Sequence, residues 1–344
     1  MDEKIKNTKI SVIGAGSWGT AIANLLALKG FHINLWSYEE DVCIGINTKN
    51  ENEAYLPGIK LSKKINATTS IEEALNNKNL VVMVVPSHVM RDVCIKIAPY
   101  ANENMVFISA SKGIENESFK TMSTIIQETI SASSKTKIGV LSGPSFAKEL
   151  SMLKPTVVTI ASEDMYTATY LQQVFASSYF RVYTSDDILG VEIGGAVKNV
   201  IAIASGIVDG MGYGLNTRAA LITRGLAEIR RIGVALGANP HTFSGLSGVG
   251  DLILTCTGNL SRNHTVGEKL GQGKKLDDIL KEMRMVAEGI KTAKSVYYLG
   301  KKLEIDLPIC EEVYKIIYEN KKPELSGNAL MTRSLKQEID FDIY

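Results

Sequence analysis

The stretch "ISVIGAGSWGTAIANLLALKG", Ile10–Gly30, carries the pattern on which the fold turns. A short β-branched run meets three glycines at G-x-G-x-x-G spacing and passes directly into a helical pattern. In such a turn Gly14 permits the sharp change of direction and Gly16 lets the backbone approach a pyrophosphate. Gly19 lets helix and strand pack closely. The helix then presents its first N–H groups and the positive end of its dipole to the phosphates. The spacing alone is weak. A strand before it, a helix after it and a second strand beyond favour dinucleotide binding over a purely structural glycine turn.

Outward from this turn, short apolar runs alternate with helical patterns. "KISVIG" (Lys9–Gly14), "HINLW" (His32–Trp36), "LVVMVV" (Leu80–Val85), "MVFIS" (Met105–Ser109), "IGVLS" (Ile138–Ser142) and "TVVTI" (Thr156–Ile160) read as strands. Several are apolar on both faces, as strands of a helix-covered parallel sheet are. Ser17–Lys29 and Ser87–Ala98 supply crossover helices. Near residue 185 the strand signal stops. Helical periodicity takes over at Ile188–Val208, Leu215–Leu236, Arg262–Leu270, Ile290–Leu299 and Glu311–Tyr318. The expected class is α/β: a Rossmann-like, doubly wound, mostly parallel sheet over residues 1–185, then an all-helical domain over 186–344.

The tip of the second strand reads Trp36-Ser37-Tyr38, followed by Glu39, Glu40 and Asp41. No arginine is there to suit a ribose 2′-phosphate, and three acids repel one, which favours NAD over NADP. With 38 basic and 37 acidic residues the chain has no net field for nucleic acid. The polar N-terminus lacks a signal-peptide pattern, and the apolar stretch Ile193–Val208 falls short of the ~20 residues of a membrane span. Cys43, Cys94, Cys256 and Cys310 are scattered without a paired spacing, so a reducing cytoplasm is the expected setting. With His/Asp/Glu clustering so sparse, no metal site is expected.

One charge stands alone in "IGGAVKNVIAIASGIV", Ile193–Val208, and it is Lys198. A desolvated lysine can stabilise a developing oxyanion and then hand over its proton. A lysine can equally lay its stem on apolar surface with its head in water. Gly194, Lys198, Ala202 and Ser205 share one helical face, whose small side chains leave room either for a ligand or for another helix. In "NLSRNHTVGEKL" Ser261 can cap a helix beginning at Arg262 and Asn263, a receptor for phosphate or an ordinary surface helix. Asp251, in "GVGDLILTCTG", is either a turn acid or a partner for an ammonium group. Lys112, in "SKG", ends a strand at the edge where open α/β sheets bind ligands.

Longer blocks carry a resemblance. "GAGSWGTAIA", "YLPG" (Tyr55–Gly58), "VPSHVMRDV" (Val85–Val93), "SASKGIE" (Ser109–Glu115) and "LSGPSFAKEL" (Leu141–Leu150) come in order. They are followed by "GGAVKNVIAIASGIVDGMGYGLNTRAALITRGLAEI" (Gly194–Ile229), "GLSGVGDLILTCTGNLSRNHTVGEKLGQG" (Gly245–Gly273) and "VAEGIKTAKSVYYLGKKLEIDLPI" (Val286–Ile309). Together they resemble the bacterial-type NAD(P)-dependent glycerol-3-phosphate dehydrogenases over most of residues 8–320. The resemblance implies reversible reduction of dihydroxyacetone phosphate to sn-glycerol 3-phosphate, a step that supplies glycerophospholipid synthesis. It implies Lys198 as proton donor and acceptor, with Lys112 and Asp251 beside it. It implies cofactor contacts from Gly14, Gly16, Ser17, Trp18, Gly19, Tyr38, Lys112, Ala147, Arg262, Val286 and Glu288. Substrate contacts would come from Lys112, Gly143, Ser145, Lys198, Asp251, Ser261, Arg262 and Asn263. A small phosphorylated substrate and a homodimer follow from it, beside the charge balance and sequence pattern that argue against nucleic acid and membrane insertion. Ser37-Tyr38 departs from the basic residues or histidine frequent in bacterial members, which leaves the choice between NAD and NADP open.

Overall fold

All four residues of β1 (Ile10–Ile13) are buried, as a strand covered on both faces must be. In this computed structural model, which describes residues 3–130, 136–283 and 286–338, β1 lies inside an eight-stranded sheet. Its other strands are β2 (Ile33–Trp36), β3 (Ile65–Thr68), β4 (Leu80–Met83), β5 (Val106–Ser109), β6 (Lys137–Ser142), β7 (Thr156–Ala161) and β8 (Phe180–Ser185). The order is β3-β2-β1-β4-β5-β6-β7-β8, parallel throughout except for the antiparallel pair β6/β7. The doubly wound, mostly parallel reading of the sequence holds.

β3 and β8 are the two strands that the apolar runs do not announce, and they are the two edges of the sheet. An edge strand keeps a wet face. Asn66 is exposed in β3, and Arg181 and Tyr183 are exposed in β8, so neither forms a continuous apolar run.

Order reverses at β1, whose neighbours are β2 on one side and β4 on the other, with Ile10 opposite both Ile33 and Leu80. The chain leaves the carboxyl ends of β1 and β4 in opposite directions, which opens a crevice there. Helix Ser17–Leu28 follows β1; after β4 a single tight turn, Ser87–Val89, precedes helix Met90–Ile97.

By packing, the chain forms two compact units: Met1–Ser111 with Met122–Ile188, and Lys112–Thr121 with Leu189–Tyr344. A single cut between residues 185 and 186 misses the segment 112–121, which joins the second unit because Ile114 is buried in that unit's core.

The second unit is built on helix Ile188–Gly210, buried without a break from Gly190 to Val208. This helix is longer than its most apolar stretch suggests. By length and composition it would cross a bilayer, but its apolar window lies wholly inside the protein. Around it stand helices Gly214–Ala235, Arg262–Gly271, Glu288–Lys302 and Pro308–Tyr318. Gly206 and Gly210 face Gly267 and Gly271 across the pair Ile188–Gly210 and Arg262–Gly271. A Cβ at any of the four would fall onto main-chain atoms of the opposite helix. The two backbones can approach this closely only because neither carries side chains there.

Candidate active site

In the first unit the three glycines of the turn do three different things. Gly14 has φ +113°, and a Cβ there would lie 2.8 Å from the Val84 carbonyl oxygen. Gly19 holds the helix against the turn, since its Cβ would run into the Gly14 carbonyl. Gly16 has nothing within 4 Å of the Cβ position and caps helix Ser17–Leu28 with no side-chain hydrogen bond and no acid in the first turn. Open space at a helix N-terminus free of acids suits a pyrophosphate. Beside it the indole Nε1 of Trp18 is buried without a partner among the described residues. The turn therefore fits a dinucleotide.

At the tip of β2, Tyr38 is 79% exposed and Ser37 is fully buried. The Glu39 carboxylate is held in place by two hydrogen bonds. One carboxylate oxygen accepts from the Tyr55 hydroxyl at 2.5 Å and the other from Ser37 Oγ at 3.3 Å. Ser17 Oγ in turn donates to the Tyr55 carbonyl at 2.6 Å, which ties this loop to the glycine turn. Beyond β6, Gly143 takes φ +140° and Ser145 Oγ donates back to its carbonyl at 2.9 Å. Ala147 begins helix Ala147–Ser151. A depression of about 1420 Å³ in this unit opens at the amino ends of the strands, among Lys9, His32, Lys78, Asn79 and Met105. It lies at the edge of the sheet opposite the glycine turn.

In the second unit Lys198 does not snorkel. It is 6% exposed, and Nζ donates to Asp251 Oδ1 at 2.5 Å and Thr255 Oγ1 at 2.6 Å. Lys112 Nζ takes the other oxygen of the same carboxylate at 2.7 Å. Asp251 is 1% exposed and opens helix Asp251–Thr257, so Thr255 lies one turn on, on the same face. One carboxylate between two ammonium groups leaves the cluster with a net positive charge. Burial pulls the Lys198 pKa down to about 8; Asp251 opposes this and Lys112 reinforces it. An ammonium has three N–H bonds. Among the described residues two of those on Lys198 are taken, which leaves one to meet an oxygen. The small residues of the lysine's face serve packing: Gly194 abuts Ser247, and Ser205 Oγ donates to the Cys256 carbonyl at 3.0 Å. Cys256 is a core residue, its thiol pushed up to about 12 by burial.

Ser261 caps helix Arg262–Gly271 and accepts from the His264 amide at 3.2 Å. Arg262 reaches solvent at the first helical position. Asn263 turns inward: its amide donates to Asn199 Oδ1 and its oxygen accepts from the Gly289 N–H, both at 2.9 Å. Asn199, Asn263 and Gly289 are the chain neighbours of Lys198, Arg262 and Glu288, so one buried hydrogen-bond chain links those three positions. Val286 is 41% exposed in the coil before helix Glu288–Lys302. His264 Nε2 lies 2.8 Å from Asp209 Oδ2, an oxygen that also accepts from Arg218 at 2.8 Å.

The sequence assigns no site role to Thr255, Asn199 or Asp209. The i, i+4 relation to Asp251 could have found Thr255. Nothing local marks the other two: Asn199 meets Asn263 and Asp209 meets His264, both far along the chain.

Residues 9–168 match the family described as NAD-dependent glycerol-3-phosphate dehydrogenase N-terminus, and residues 187–327 the one described as its C-terminus. The glycerol-3-phosphate dehydrogenase (NAD(P)+) of Syntrophobacter fumaroxidans is 52% identical over 331 residues, 96% of this chain and 97% of that protein. That of Geobacter sulfurreducens is 52% identical over 330 residues, 96% of this chain and 98% of that protein. The crystal structure of glycerol-3-phosphate dehydrogenase from Coxiella burnetii superposes with a TM-score of 0.91 at 35% identity, covering 95% of this chain and 99% of that one.

Proposed function

The chain belongs to the NAD-dependent glycerol-3-phosphate dehydrogenase family, and from that premise we propose that Lys198 is the proton donor and acceptor of its reaction. The protein is an NAD(P)-dependent oxidoreductase interconverting dihydroxyacetone phosphate and glycerol 3-phosphate. The observation that carries the lysine's role is the Asp251 carboxylate shared by Lys198 and Lys112, with Lys198 held near the working pH range.

A nicotinamide dinucleotide, when bound, supplies or takes up the hydride. In the first unit Gly14, Gly16, Gly19, Ser17 and Trp18 would hold it, with Tyr38 at the adenosine ribose and Ala147 near the cofactor. Gly143 and Ser145 would line the substrate side of that unit. In the second unit Lys112, Arg262, Val286 and Glu288 would supply the remaining cofactor contacts.

As the ketone is reduced, its oxygen gains negative charge. The Lys198 ammonium stabilises that charge and then gives up a proton: the Nζ–H bond breaks and the alcohol O–H bond forms. In the oxidation direction the neutral amine takes the proton back. Asp251 orients the ammonium, and Lys112 lowers its pKa while offering a second cation to the substrate. Ser261, Arg262 and Asn263 receive the phosphate at a helix N-terminus, where the arginine fork adds to the backbone N–H groups. Following NADH absorbance with dihydroxyacetone phosphate tests this reading: turnover is expected, and tight NADH binding without oxidation would sink it.

The cofactor is NADH rather than NADPH. Glu39, fixed by Tyr55 and Ser37, supports this, because its carboxylate suits a ribose 2′-OH and repels a 2′-phosphate. The ratio of kcat/KM for the two cofactors decides it: at least tenfold for NADH is expected, and parity overturns the reading. A cytoplasmic homodimer feeding glycerophospholipid synthesis completes the proposal on the family resemblance. Sedimentation at twice the chain mass is the expected result.

A further inference from the structure

Lys112 reaches Asp251 from an unusual direction. The chain leaves the sheet after β5, crosses into the second unit for the ten residues Lys112–Thr121, and returns to the first at Met122. The strap closes on itself through the Ile114–Thr121 bridge and a bond from the Glu115 N–H to the Lys120 carbonyl at 3.0 Å. Closure alone does not place Lys112; something in the second unit has to hold the strap.

That something is a buried hydroxyl. Ser295 lies mid-way along helix Glu288–Lys302 and is 0% exposed, among Thr292, Ala293, Val296 and Leu299 on the buried face. A serine on such a face costs desolvation unless it is bonded, and an alanine there would pack without that cost. Its Oγ lies 2.9 Å from the Ile114 carbonyl oxygen and 2.6 Å from Asn116 Oδ1, so both contacts are on the strap. Ile114 is itself 2% exposed in the second unit's core. From Ile114 to Lys112 is two residues, a reach of at most ~7 Å. The Ile114 carbonyl is thus the anchor nearest the Lys112 backbone, from which the lysine side chain makes its 2.7 Å bond to Asp251.

We propose that Ser295 is a positioning residue for the reaction, setting Lys112 on Asp251 by pinning the Lys112–Thr121 strap at Ile114 and Asn116. This rests on the role proposed for Lys112, and the experiment separates the two. In the full-length enzyme Ser295→Ala lowers kcat/KM for dihydroxyacetone phosphate about ten- to hundredfold, the scale of a misplaced catalytic group. The Kd for NADH, measured by its fluorescence, changes no more than it does in Lys112→Met.

The decisive arm is a double-mutant cycle with Lys112→Met. Added to Lys112→Met, the Ser295→Ala change has no further effect if the serine acts through that lysine. Losses that multiply in the double variant, or wild-type kcat/KM in Ser295→Ala, overturn the proposal. Should Ser295→Ala fail to fold, Asn116→Ala removes a contact on the half-buried strap and enters the same cycle. Full activity in Lys112→Met alone refutes the lysine's role, and the pinning with it, and is read from that single variant.

Discussion

The glycines of the turn after β1 and those of the lysine helix look alike in the sequence and do opposite work. Gly14, Gly16 and Gly19 lie in one turn, and two of them are explained by chain neighbours or by the adjacent β4. The third, Gly16, faces open space. Gly206 and Gly210 find their reason only in Gly267 and Gly271, on a helix far along the chain, and every Cβ position of the four is occupied by backbone. Gly16 leaves its room at a helix N-terminus, where a ligand's phosphates can sit. A glycine whose missing side chain is filled by protein marks a contact. The first unit thus keeps a cradle open, whereas the second completes a charged centre by packing around it.

The largest expected effect separates the two regions by function. Lys198→Ala should lower kcat about 10²–10⁴-fold, the range for a lost general acid, with NADH affinity nearly intact. An equal loss of NADH binding would break the division between cradle and charged centre. Arg262→Ala comes next: KM for dihydroxyacetone phosphate should rise about ten- to hundredfold, the scale of a lost charge-assisted hydrogen bond. Unchanged kinetics would return Arg262 to an ordinary surface role.

The glycines themselves give a paired test. Gly206→Ala forces a Cβ into the His264 carbonyl and should cost about 1–3 kcal/mol, read as a fall in Tm. Gly16→Ala should leave Tm unchanged and weaken NADH binding about tenfold, since its Cβ meets only the space where phosphates would lie. If both variants lose Tm alone, the contrast between the two sets is wrong.

The smallest effect is the pH profile. The Lys198 pKa is lowered to about 8, so the protonated form that reduction needs is nearly full at pH 7 and half lost by pH 8. Between those values kcat/KM for dihydroxyacetone phosphate should fall about twofold, then tenfold per pH unit above, while oxidation of glycerol 3-phosphate gains. A flat profile from pH 7 to 9 would remove Lys198 from the proton path.

Strands β1, β2 and β4–β7 were legible because strands inside the sheet are apolar on both faces. β3 and β8 were not, because an edge needs only one buried face, and alternation over four to six residues is a faint signal. Ser261 was legible as a cap because capping is local, and the structure seats its hydroxyl on the His264 amide. The lone charge at Lys198 was visible, but its two possible lives were not distinguishable within the helix.

By itself the sequence determined the dinucleotide turn, the doubly wound sheet, the helical second half and the family, because these rest on short-range spacing and long matching blocks. Tertiary structure decided what Lys198 touches, that Asp251 is shared with Lys112, and that residues 112–121 pack with the second unit. It also turned the small residues around the lysine into packing contacts. The physical reason is range. A turn or a cap is settled by neighbours a few bonds away, whereas a buried ammonium is settled by whichever carboxylate the folded backbone brings to it.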